Sequence, residues 1–549
     1  MTNKDLAQLM YPNVKMTRED YEIKYPERNL PEGAVVSRFA PSPTGFVHMG
    51  SLLTSFVESK VPRDTNGIFY LRIEDTDGKR SVENGVQGII DDLNNFNIEI
   101  DEGVVSETEE KGNYGPYIQS KRIDIYNTYA KYLVENDLAY PCFCSPEELD
   151  EIRENQEKNK ERIGYYGKYA KCRHMTTDEA CERIKNGEKF VLRIKSQGDY
   201  SKKILLNDLV RGKIEFPEND IDSVLIKSDG VPVYHFAHAI DDHLMHTTHV
   251  LRGEEWISSY PLHHELFKVL GFKMPKYAHL GLVMKIDENG TRRKLSKRKD
   301  PEAAVSYYHE KGVPIEAVKL YLMTIANSNF EEWLNQNPDK TIDDFKFDFK
   351  KMSASGSLFD LEKLLNISKN YISKLSKEEV YNNLIKWASV YDKDFYDLIT
   401  KNEEYTKEVL NIEREQKKPR KDYGSYSEIK GQIFYMYDEL YNPSDYEWGS
   451  VTDKEEISKI LNTYMEKYFD VTDKEVWFNN IKLLTEELGY CSNMKEYKEN
   501  PDNYKGNVAD ISTVLRVALT SKSMTPDLYE IMRILGRDKI QNRIENITR

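Results

Sequence analysis

Two short segments, far apart in the chain, carry side chains that can hold a phosphate chain from opposite ends. The first is His48-Met49-Gly50-Ser51, which follows a Pro-rich turn, and the second is Lys294-Leu295-Ser296-Lys297-Arg298. An imidazole can donate a hydrogen bond to a phosphate oxygen, and ammonium groups can stabilise the charge that develops on a leaving pyrophosphate. Together the two segments predict a site for ATP.

A strand and a helix must present the first segment to a nucleotide. The apolar run from Gly33 to Arg38 predicts a short buried strand, and the apolar spacing from Ser51 to Ser59 predicts the beginning of a helix. Gly50 lets the backbone approach a nucleotide closely, and the free amides of a helix N-terminus favour an anion. A His-x-Gly triplet after a strand also occurs by chance, so the first segment alone does not establish a nucleotide site, and the second segment is needed as further evidence.

The second segment belongs to a strongly basic loop. Thr291 to Lys299 contains six basic residues and no acidic one, and it follows the strand-like run from His279 to Met284. A solvated basic turn is the simpler interpretation. It becomes weak because three motifs with candidate ligand groups fall between the two segments. These motifs are Arg72-Ile73-Glu74-Asp75-Thr76-Asp77, Gly115-Pro116-Tyr117-Ile118-Gln119-Ser120 and Val250-Leu251-Arg252-Gly253-Glu254-Glu255-Trp256.

With these motifs in this order, the chain resembles the class I aminoacyl-tRNA synthetases, and specifically the bacterial-type glutamyl-tRNA synthetases. The likeness runs from about Arg38 to the C-terminus, and the segments at His48 and Lys294 match the two class signatures. The resemblance implies an α/β fold: a Rossmann-like parallel-sheet catalytic domain with an inserted acceptor-binding domain, followed by all-α stem-contact and anticodon-binding domains. It implies ATP-dependent ligation of L-glutamate to tRNA(Glu) through a glutamyl-adenylate intermediate, for protein synthesis.

The order of predicted elements divides the chain into six parts. Apolar strands alternate with helical segments from about 33 to 120, which predicts a parallel sheet, and the residues after Asp300 are predicted to be largely helical. Asp229-Gly230 between two apolar runs predicts a hairpin with Val231–His235 as its second strand. The predicted parts are an N-terminal extension without a readable function (1–32), the first half of the catalytic domain (33–120), the inserted acceptor-stem-binding domain with a zinc site (121–225), the second catalytic half (226–300), the stem-contact helical domain (301–375) and the helical anticodon-binding domain (376–549).

Composition limits the partners and the compartment. The 549 residues carry a formal net charge of −15, which argues against indiscriminate polyanion binding, since nonspecific affinity comes largely from Lys and Arg. A tRNA must then meet local basic patches, for which Arg292–Lys299 and Arg414–Lys421 are candidates, although a charge run is commonly only a solvated face. No run approaches the roughly 18 apolar residues of a membrane span, and the N-terminus has no signal-type apolar centre. We therefore predict a cytoplasmic protein without membrane contact.

Four residues have the spacing of a zinc site. Cys142-Phe143-Cys144 is followed by Cys172-Arg173-His174, and three thiolates with one imidazole could close a tetrahedral shell around zinc. The alternative is a set of reduced, unpaired cysteines. Some glutamyl-tRNA synthetases carry this pattern in the acceptor-binding insertion, so the resemblance favours Cys142, Cys144, Cys172 and His174 as structural zinc ligands.

The chemistry of acid activation and the resemblance together assign the ATP site. A carboxylate attacks the α-phosphorus in line and pyrophosphate leaves, so positioning and charge neutralisation suffice, and orientation alone can contribute on the order of 7 to 11 kcal/mol. His48, Lys294 and Lys297 are the predicted catalytic residues, with Mg²⁺ expected on the triphosphate. The predicted ATP-binding residues are Thr44, His48, Gly50, Glu255, Trp256, Lys294 and Lys297.

The resemblance also assigns the glutamate pocket, with Arg38 and Arg252 implied to bind carboxylates and Glu74 the α-ammonium group. A planar guanidinium pairs with a carboxylate through two parallel hydrogen bonds, and glutamine would leave such an arginine uncompensated. A surface strand position is the alternative for Arg38. Where the family commonly has Tyr-x-x-x-Asn, this chain places His238, implied to lie near the α-carboxylate. The predicted glutamate-binding residues are Arg38, Ala40, Ser42, Glu74, Tyr234, His238 and Arg252.

Three other functions stand beside glutamate ligation. A catalytically silent tRNA-binding paralogue would have lost the signature His and Lys residues, which are present. A glutaminyl enzyme usually has a β-barrel anticodon region, and a truncated paralogue that glutamylates a modified nucleoside lacks the C-terminal third. Whether tRNA(Gln) is also charged stays open at this point, and the resemblance implies a monomer.

Overall fold

The computed structural model describes residues 1–43, 47–76, 82–296 and 298–548. Thr44 and Lys297, two predicted ATP contacts, lie outside the described residues, as does Asp77 of the acidic motif. The described strands are β1 (Val36–Phe39), β2 (Ile68–Leu71), β3 (Glu102–Val104), β4 (Glu110–Lys111), β5 (Ala139–Cys142), β6 (Val191–Ile194), β7 (Lys203–Asp208), β8 (Gly212–Pro217), β9 (Val224–Ile226), β10 (His249–Gly253), β11 (Lys276–Leu280), β12 (Val283–Ile286), β13 (Arg292–Lys294) and β14 (Ser357–Leu358).

Helices make up most of the remaining described residues. They are α1 (Asn3–Met10), α2 (Arg18–Lys24), α3 (Met49–Asp64), α4 (Gly85–Asn95), α5 (Ile123–Glu135), α6 (Pro146–Lys158), α7 (Thr177–Lys185), α8 (Tyr234–Leu244), α9 (Tyr260–Leu270), α10 (Ser306–Lys311), α11 (Ile315–Ala326), α12 (Phe330–Gln336), α13 (Leu361–Ser373), α14 (Lys377–Tyr391), α15 (Lys393–Ile399), α16 (Glu403–Asn411), α17 (Tyr426–Ile433), α18 (Lys454–Thr463), α19 (Lys474–Glu487), α20 (Met494–Glu499), α21 (Val508–Thr520) and α22 (Leu528–Thr548). Among these helices, none combines the length and the apolar character that a membrane crossing requires.

The chain divides into two compact units. The first comprises Met1–Tyr307 with Lys319–Leu361, and the second comprises Tyr308–Val318 with Glu362–Arg549. The divisions near 307 and 318 fall inside α10 and α11, so these two helices contribute residues to both units.

A parallel sheet forms the centre of the first unit. β1, β2 and β3 run parallel in that order, and β10, β11 and β7 form a second parallel set. The sets adjoin at β1 and β10, where Thr248 N–H donates to Val36 O at 3.0 Å and Val36 N–H donates to Thr248 Oγ1 at 2.8 Å. This arrangement confirms the predicted parallel α/β sheet and directs the carboxyl ends of β1, β2, β10 and β11 toward one edge, where ligands bind in such sheets.

The elements at this edge follow the sequence pattern with one exception. All four residues of β1 are buried, as expected for a parallel strand covered on both faces, and the predicted helix after His48 is α3. The predicted hairpin after Asp229 is only a tight turn, because Ile226 and Pro232 make a single bridge and α8 already begins at Tyr234. Pro232 has no backbone N–H with which to extend a ladder of hydrogen bonds.

Two smaller sheets carry the remaining predicted motifs of the first unit. β5, β6 and β9 form an antiparallel sheet that ends at Cys142, and β12 pairs with β13 and β14. The run His279–Met284, predicted as one strand, is divided between β11 and β12 at Gly281. A Cβ at Gly281 would lie 2.4 Å from the backbone nitrogen of Gly356, so the close approach of these two chain segments requires glycine.

The N-terminal extension is an ordered part of the first unit. Its helices α1 and α2 begin at capping boxes on Thr2 and Thr17, and α1 packs against α5 and α7. Arg28 binds the carboxylate of Glu102 through two hydrogen bonds of 2.9 and 3.0 Å. The extension is therefore tied directly to β3, which its polar sequence did not indicate.

The second unit is helical in the part of the chain that is described, apart from one bridge between Cys491 and Asn507. Its buried core draws on most of the helices from α13 to α22. Val514, Leu515 and Leu519 of α21 lie in that core. This confirms the prediction of a helical C-terminal region and disfavours the β-barrel expected of a glutaminyl enzyme.

Candidate active site

A cavity of about 940 Å³ lies at the carboxyl ends of β1, β2, β10 and β11. Its size suits a small-molecule site, and its position is the one expected for ligands of parallel sheets. The predicted site residues that line it are Arg38, Ala40, Ser42, His48, Gly50, Glu74, Tyr234, Arg252, Glu255, Trp256 and Lys294. The fold therefore brings together all the described ATP and glutamate candidates except His238.

His48 has a defined role at the start of α3. It is the residue before the first turn, and its Nδ1 accepts the backbone N–H of Ser51 at 3.1 Å. A neutral imidazole that accepts through Nδ1 carries its proton on Nε2. Nε2 lies 3.1 Å from the Ser51 hydroxyl, and it is the ring nitrogen that can donate to a phosphate bound beside the positive end of the helix dipole.

The loop that follows β13 is held by an acidic residue. Asp300 is buried, accepts two hydrogen bonds from Arg293 at 2.6 and 2.7 Å, and accepts the backbone N–H of Ser296 at 2.9 Å. The hydrogen bonds from Arg293 hold the pKa of the Asp300 carboxyl well below its usual range. These contacts of Asp300 with Arg293 and Ser296, here called the tether, position Lys294, which is exposed at the cavity. The sequence of the basic motif does not indicate the tether.

Buried acids of α8 and α3 hold the arginines beneath the pocket. Arg38 Nε lies 3.3 Å from Asp242 Oδ1, and Arg38 Nη1 lies 3.5 Å from Glu58 Oε1. Arg72 donates to Asp242 at 2.7 Å and to Glu74 at 3.0 Å. Burial raises the pKa of Glu58 well above its usual value, whereas Arg72 and Arg38 hold that of Asp242 well below in spite of burial.

His238 lies beneath the cavity and does not line it, which differs from the prediction. Its ring is fully buried, with Nε2 2.8 Å from the hydroxyl of Tyr277 and Nδ1 2.7 Å from Asp242 Oδ2. It stacks on the ring of Tyr234 at 5.4 Å. Because both ring nitrogens face protein groups, His238 supports the pocket wall from behind, and a direct contact with the α-carboxylate does not fit this placement.

Three of the four predicted zinc ligands converge. The sulfur atoms of Cys142, Cys144 and Cys172 lie within 4.8 Å of one another, whereas His174 is exposed and outside the group. The Tyr165 hydroxyl lies 3.2 Å from Cys144 Sγ and 3.5 Å from Cys142 Sγ. Hydrogen bonds from the other two thiols lower the pKa of the Cys142 thiol, and the same contacts raise that of Cys144, so Cys142 is the thiol of this pair that ionises first.

The second unit contains a groove, and only part of the predicted basic patch Arg414–Lys421 is available to line it. Arg414 of the predicted patch is buried and donates to the carbonyl oxygens of Ile372 and Leu410, so its role is structural. Arg420 lines a groove of about 470 Å³ with Arg516, exposed Phe478 and Met524, and Thr525. Guanidinium groups beside an exposed aromatic ring are a common combination in single-stranded nucleic-acid sites.

Several site residues escaped sequence reasoning. They are Glu58, Asp242, Asp300, Asp208, His263 and His279. Asp241-Asp242, which follows the apolar pair Ala239-Ile240 within a helix, was a usable signal, because buried carboxylates require partners. The two histidines gave none, because they occupy ordinary apolar helix and strand positions.

Comparison with known proteins agrees with this geometry. Residues 34–366 match the family model for the catalytic domain of class I tRNA synthetases (E and Q), and residues 379–548 match an anticodon binding domain. A glutamate–tRNA ligase of Clostridium perfringens (strain 13 / Type A) is 49% identical over 99% of this chain and 100% of its own length, and that of Acetivibrio thermocellus is 48% identical over 100% of both chains. A crystal structure of a glutamate tRNA ligase from Elizabethkingia meningosepticum in complex with its amino acid has a TM-score of 0.74 and 26% identity, over 94% of this chain and 99% of that one.

Proposed function

We propose how the cavity works in this chain, which belongs to the class I tRNA synthetases of the glutamate and glutamine group: it activates L-glutamate with ATP for ligation to tRNA(Glu). The observation that carries the proposal is one cavity that holds His48 and Lys294 together with Arg38 and Arg252. Relatives that match over the full length and are named glutamate–tRNA ligases support glutamate as the amino acid.

The ATP end of the cavity is assigned to the two signature segments. His48 Nε2 donates to a phosphate oxygen, and the first turn of α3 offers backbone amides beside Gly50. Lys294 stabilises the charge that develops on pyrophosphate, and Lys297 and Thr44 are proposed to complete the grip. Trp256 and Glu255 line the part of the cavity assigned to the adenosine. Mg²⁺, when bound to the triphosphate, supplies further charge neutralisation.

The glutamate end is assigned to the polar groups at β1, β2 and β10. Arg38 and Arg252 bind carboxylates, and Glu74 receives the α-ammonium group. Burial raises the pKa of Glu74 while Arg72 lowers it, and an arriving ammonium would favour the ionised form. Ala40, Ser42 and Tyr234 form the wall of the pocket.

The reaction follows from this placement. The α-carboxylate of glutamate attacks the α-phosphorus of ATP and pyrophosphate leaves. A ribose hydroxyl of the tRNA terminal adenosine then attacks the acyl carbon of the glutamyl-adenylate, AMP leaves, and the hydroxyl proton is released. The groove that contains Arg420, Arg516 and Phe478 is proposed to contact unstacked anticodon bases. A monomer in the cytoplasm, where its tRNA substrate is used, belongs to the same proposal.

A zinc ion is proposed as a structural element between β5 and α7. Three convergent sulfurs fit zinc, and the Tyr165 hydroxyl lies within hydrogen-bond distance of two of them. His174 would have to leave its exposed position to contribute, so the donor set proposed here is Cys142, Cys144, Cys172 and Tyr165. When bound, the ion would fix the base of the inserted segment without taking part in catalysis.

Aminoacylation of separate tRNA(Glu) and tRNA(Gln) transcripts tests the function and its breadth together. The purified full-length chain should attach glutamate to tRNA(Glu), and the His48→Ala variant should be at least about 100-fold slower, since it loses a donor to the reacting phosphates. Lys4→Ala, at an exposed position of α1 in the N-terminal extension, is the control. Attachment of glutamine, or no attachment of either amino acid by the unmodified chain, would refute the proposal.

A further inference from the structure

Arg252 and Arg38 both line the cavity, but they are held by different partners. Arg38 lies beside the carboxylates of Asp242 and Glu58. Arg252 is buried, and no carboxylate of the described chain lies within ion-pair distance of its guanidinium. Among the described residues, therefore, none neutralises the positive charge of Arg252 by an ion pair before a substrate arrives.

Two imidazole rings hold the Arg252 guanidinium in place. Arg252 Nε donates to His279 Nε2 at 3.0 Å, and Nη1 donates to His263 Nδ1 at 3.0 Å and more weakly to the Tyr234 hydroxyl at 3.5 Å. A guanidinium has only donors, so both imidazole nitrogens must accept and both histidines must be neutral. Nη2 is buried with no hydrogen-bond partner among the groups that are described, which is costly unless a ligand supplies one.

The outer partners of the two histidines determine where each proton lies. Asp208 Oδ2 lies 2.7 Å from His279 Nδ1, which must donate, so that Nε2 is left to accept from Arg252. Asp208 is fixed in turn by the backbone N–H groups of Val210 at 3.0 Å, Arg211 at 2.9 Å and His279 at 3.0 Å. This is a carboxylate–imidazole–guanidinium relay in which each donor has one defined acceptor.

The second histidine is oriented from the opposite side. Because His263 Nδ1 accepts from Arg252, the proton of His263 is on Nε2, which donates to His235 Nδ1 at 2.8 Å. Burial lowers the pKa of both His263 and His279, and the neighbouring Arg252 charge lowers them further. The relay is also fixed through the backbone, because Arg252 and His279 are register partners in β10 and β11.

We propose that Asp208, His279 and His263 are positioning residues, which aim Nη2 of Arg252 at the γ-carboxylate of glutamate and leave its charge uncompensated for that group. The inference rests on the proposed function, because it takes glutamate as the bound amino acid. Glutamine would present a neutral amide to an unpaired buried guanidinium, so the relay sets the preference for glutamate over glutamine.

Asparagine and glutamine substitutions distinguish the two ring nitrogens, because the Asn amide reaches about as far as Nδ1 and the Gln amide about as far as Nε2. His279→Gln keeps an acceptor for Arg252 and His279→Asn removes it, whereas at position 263 Asn keeps the acceptor and Gln removes it. The order of the two variants should therefore be opposite at the two positions. A purely structural role gives no reason for such a reversal.

The KM for glutamate in tRNA-dependent pyrophosphate exchange is the readout. His279→Asn and His263→Gln should raise it about 10- to 100-fold, the loss of one hydrogen bond to a charged group, with the KM for ATP within about twofold of the unmodified chain. For His279→Gln and His263→Asn, the KM for glutamate should stay closer to that of the unmodified chain. The ratio of the inhibition constant of glutamine to the KM for glutamate should fall only in His279→Asn and His263→Gln. His264→Gln, one residue along α9, is the matched control.

The same order at both positions, or glutamate KM values that do not move, would overturn the relay. A lower kcat, a higher KM for ATP and a lower melting temperature, to the same extent in all four histidine variants, would also overturn it in favour of a structural role. Should His279→Asn not fold, Asp208→Asn is the second variant. Its amide NH2 would oppose the two N–H groups of His279, the backbone N–H and Nδ1–H, that donate to Asp208 Oδ2. The preference for glutamate over glutamine should therefore drop, and an unchanged preference contradicts the proposal. An unmodified chain that forms no glutamyl-tRNA would instead refute the proposed function.

Discussion

Asp300 and Arg293 form a two-bonded ion pair on either side of the basic loop that carries Lys294. Both carboxylate oxygens accept from the guanidinium, and Asp300 also accepts the backbone N–H of Ser296. The loop is thereby closed at its base, and the charge that must meet pyrophosphate is presented from a fixed backbone. Position, as much as charge, decides how well an ammonium group stabilises a transition state.

Loss of this tether should slow activation without weakening glutamate binding. Asp300→Asn keeps the side-chain shape but removes the charge that pairs with Arg293, so the rate of tRNA-dependent pyrophosphate exchange should fall by about 10-fold or more. The KM for glutamate should not change. Glu288→Gln, at the exposed turn between β12 and β13, is the control, and an undiminished rate in Asp300→Asn would show that the tether has no part in catalysis.

The buried carboxylate of Asp242 should be a major contributor to stability. It serves Arg72 at 2.7 Å and Arg38 at 3.3 Å, and all three side chains are buried. Asp242→Asn leaves both guanidinium groups undercompensated and should lower the free energy of unfolding by about 3 to 5 kcal/mol. Urea titration measures it, with Glu157→Gln from the exposed pair with Arg153 as comparison, for which at most about 0.5 kcal/mol is expected.

The proposed zinc ligands differ from the sequence pattern at one position, which makes them easy to test. The purified chain should contain one zinc ion, and a chelator should lower its melting temperature. Tyr165→Phe should release zinc at a lower chelator concentration than the unmodified chain, while His174→Gln should not. The reverse order would restore His174 as the fourth ligand.

Acid should weaken the fold through its buried neutral histidines. Burial lowers the pKa of His238 to about 4, from an ordinary 6.5. Between about pH 4 and pH 6.5 the folded chain therefore binds fewer protons than the unfolded chain. The contribution of neutral His238 to the free energy of unfolding is thus complete above about pH 6.5 and is lost as the pH falls toward 4. For His238 alone the loss at pH 5.5 is about 1 kcal/mol.

Urea unfolding at pH 7.5 and pH 5.5 measures that loss. His238→Asn cannot titrate, so its stability should depend less on pH than that of the unmodified chain. An Asn289→Gln control, at an exposed turn, removes no titrating group and should retain the dependence of the unmodified chain. Equal pH dependence in all three proteins would exclude His238 as a source.

The parts of the site that depend on local sequence patterns could be predicted from the sequence. The segments around His48 and Lys294 could be placed after a strand and on a basic loop because strand, turn and helix signals are local. The tight turn at Pro232 was taken for a hairpin because an Asp-Gly pair does not reveal how far the ladder continues. Contacts between β10, β11 and β7 join residues distant in sequence, so the histidines around Arg252 gave no local signal.

His238 and His174 illustrate the same limit. The motif position of His238 favoured a ligand contact, but in α8 it lies four residues before Asp242 and against Tyr277, two neighbours that only the packed structure supplies. His174 had suitable spacing for a metal, yet spacing does not decide on which side of a short turn a side chain lies. Both differences come from tertiary packing.

Glutamate-dependent pyrophosphate exchange in the presence of tRNA(Glu) tests most directly that one cavity holds both substrates. Lys294→Ala should lower kcat by about 100-fold with little effect on the KM for glutamate, because its charge acts on the leaving group. Arg252→Lys should instead raise the KM for glutamate by about 100-fold, because a single ammonium group cannot contact His279 and His263 and also donate to the carboxylate from the position of Nη2. Opposite effects, or full activity in both variants, would contradict the account.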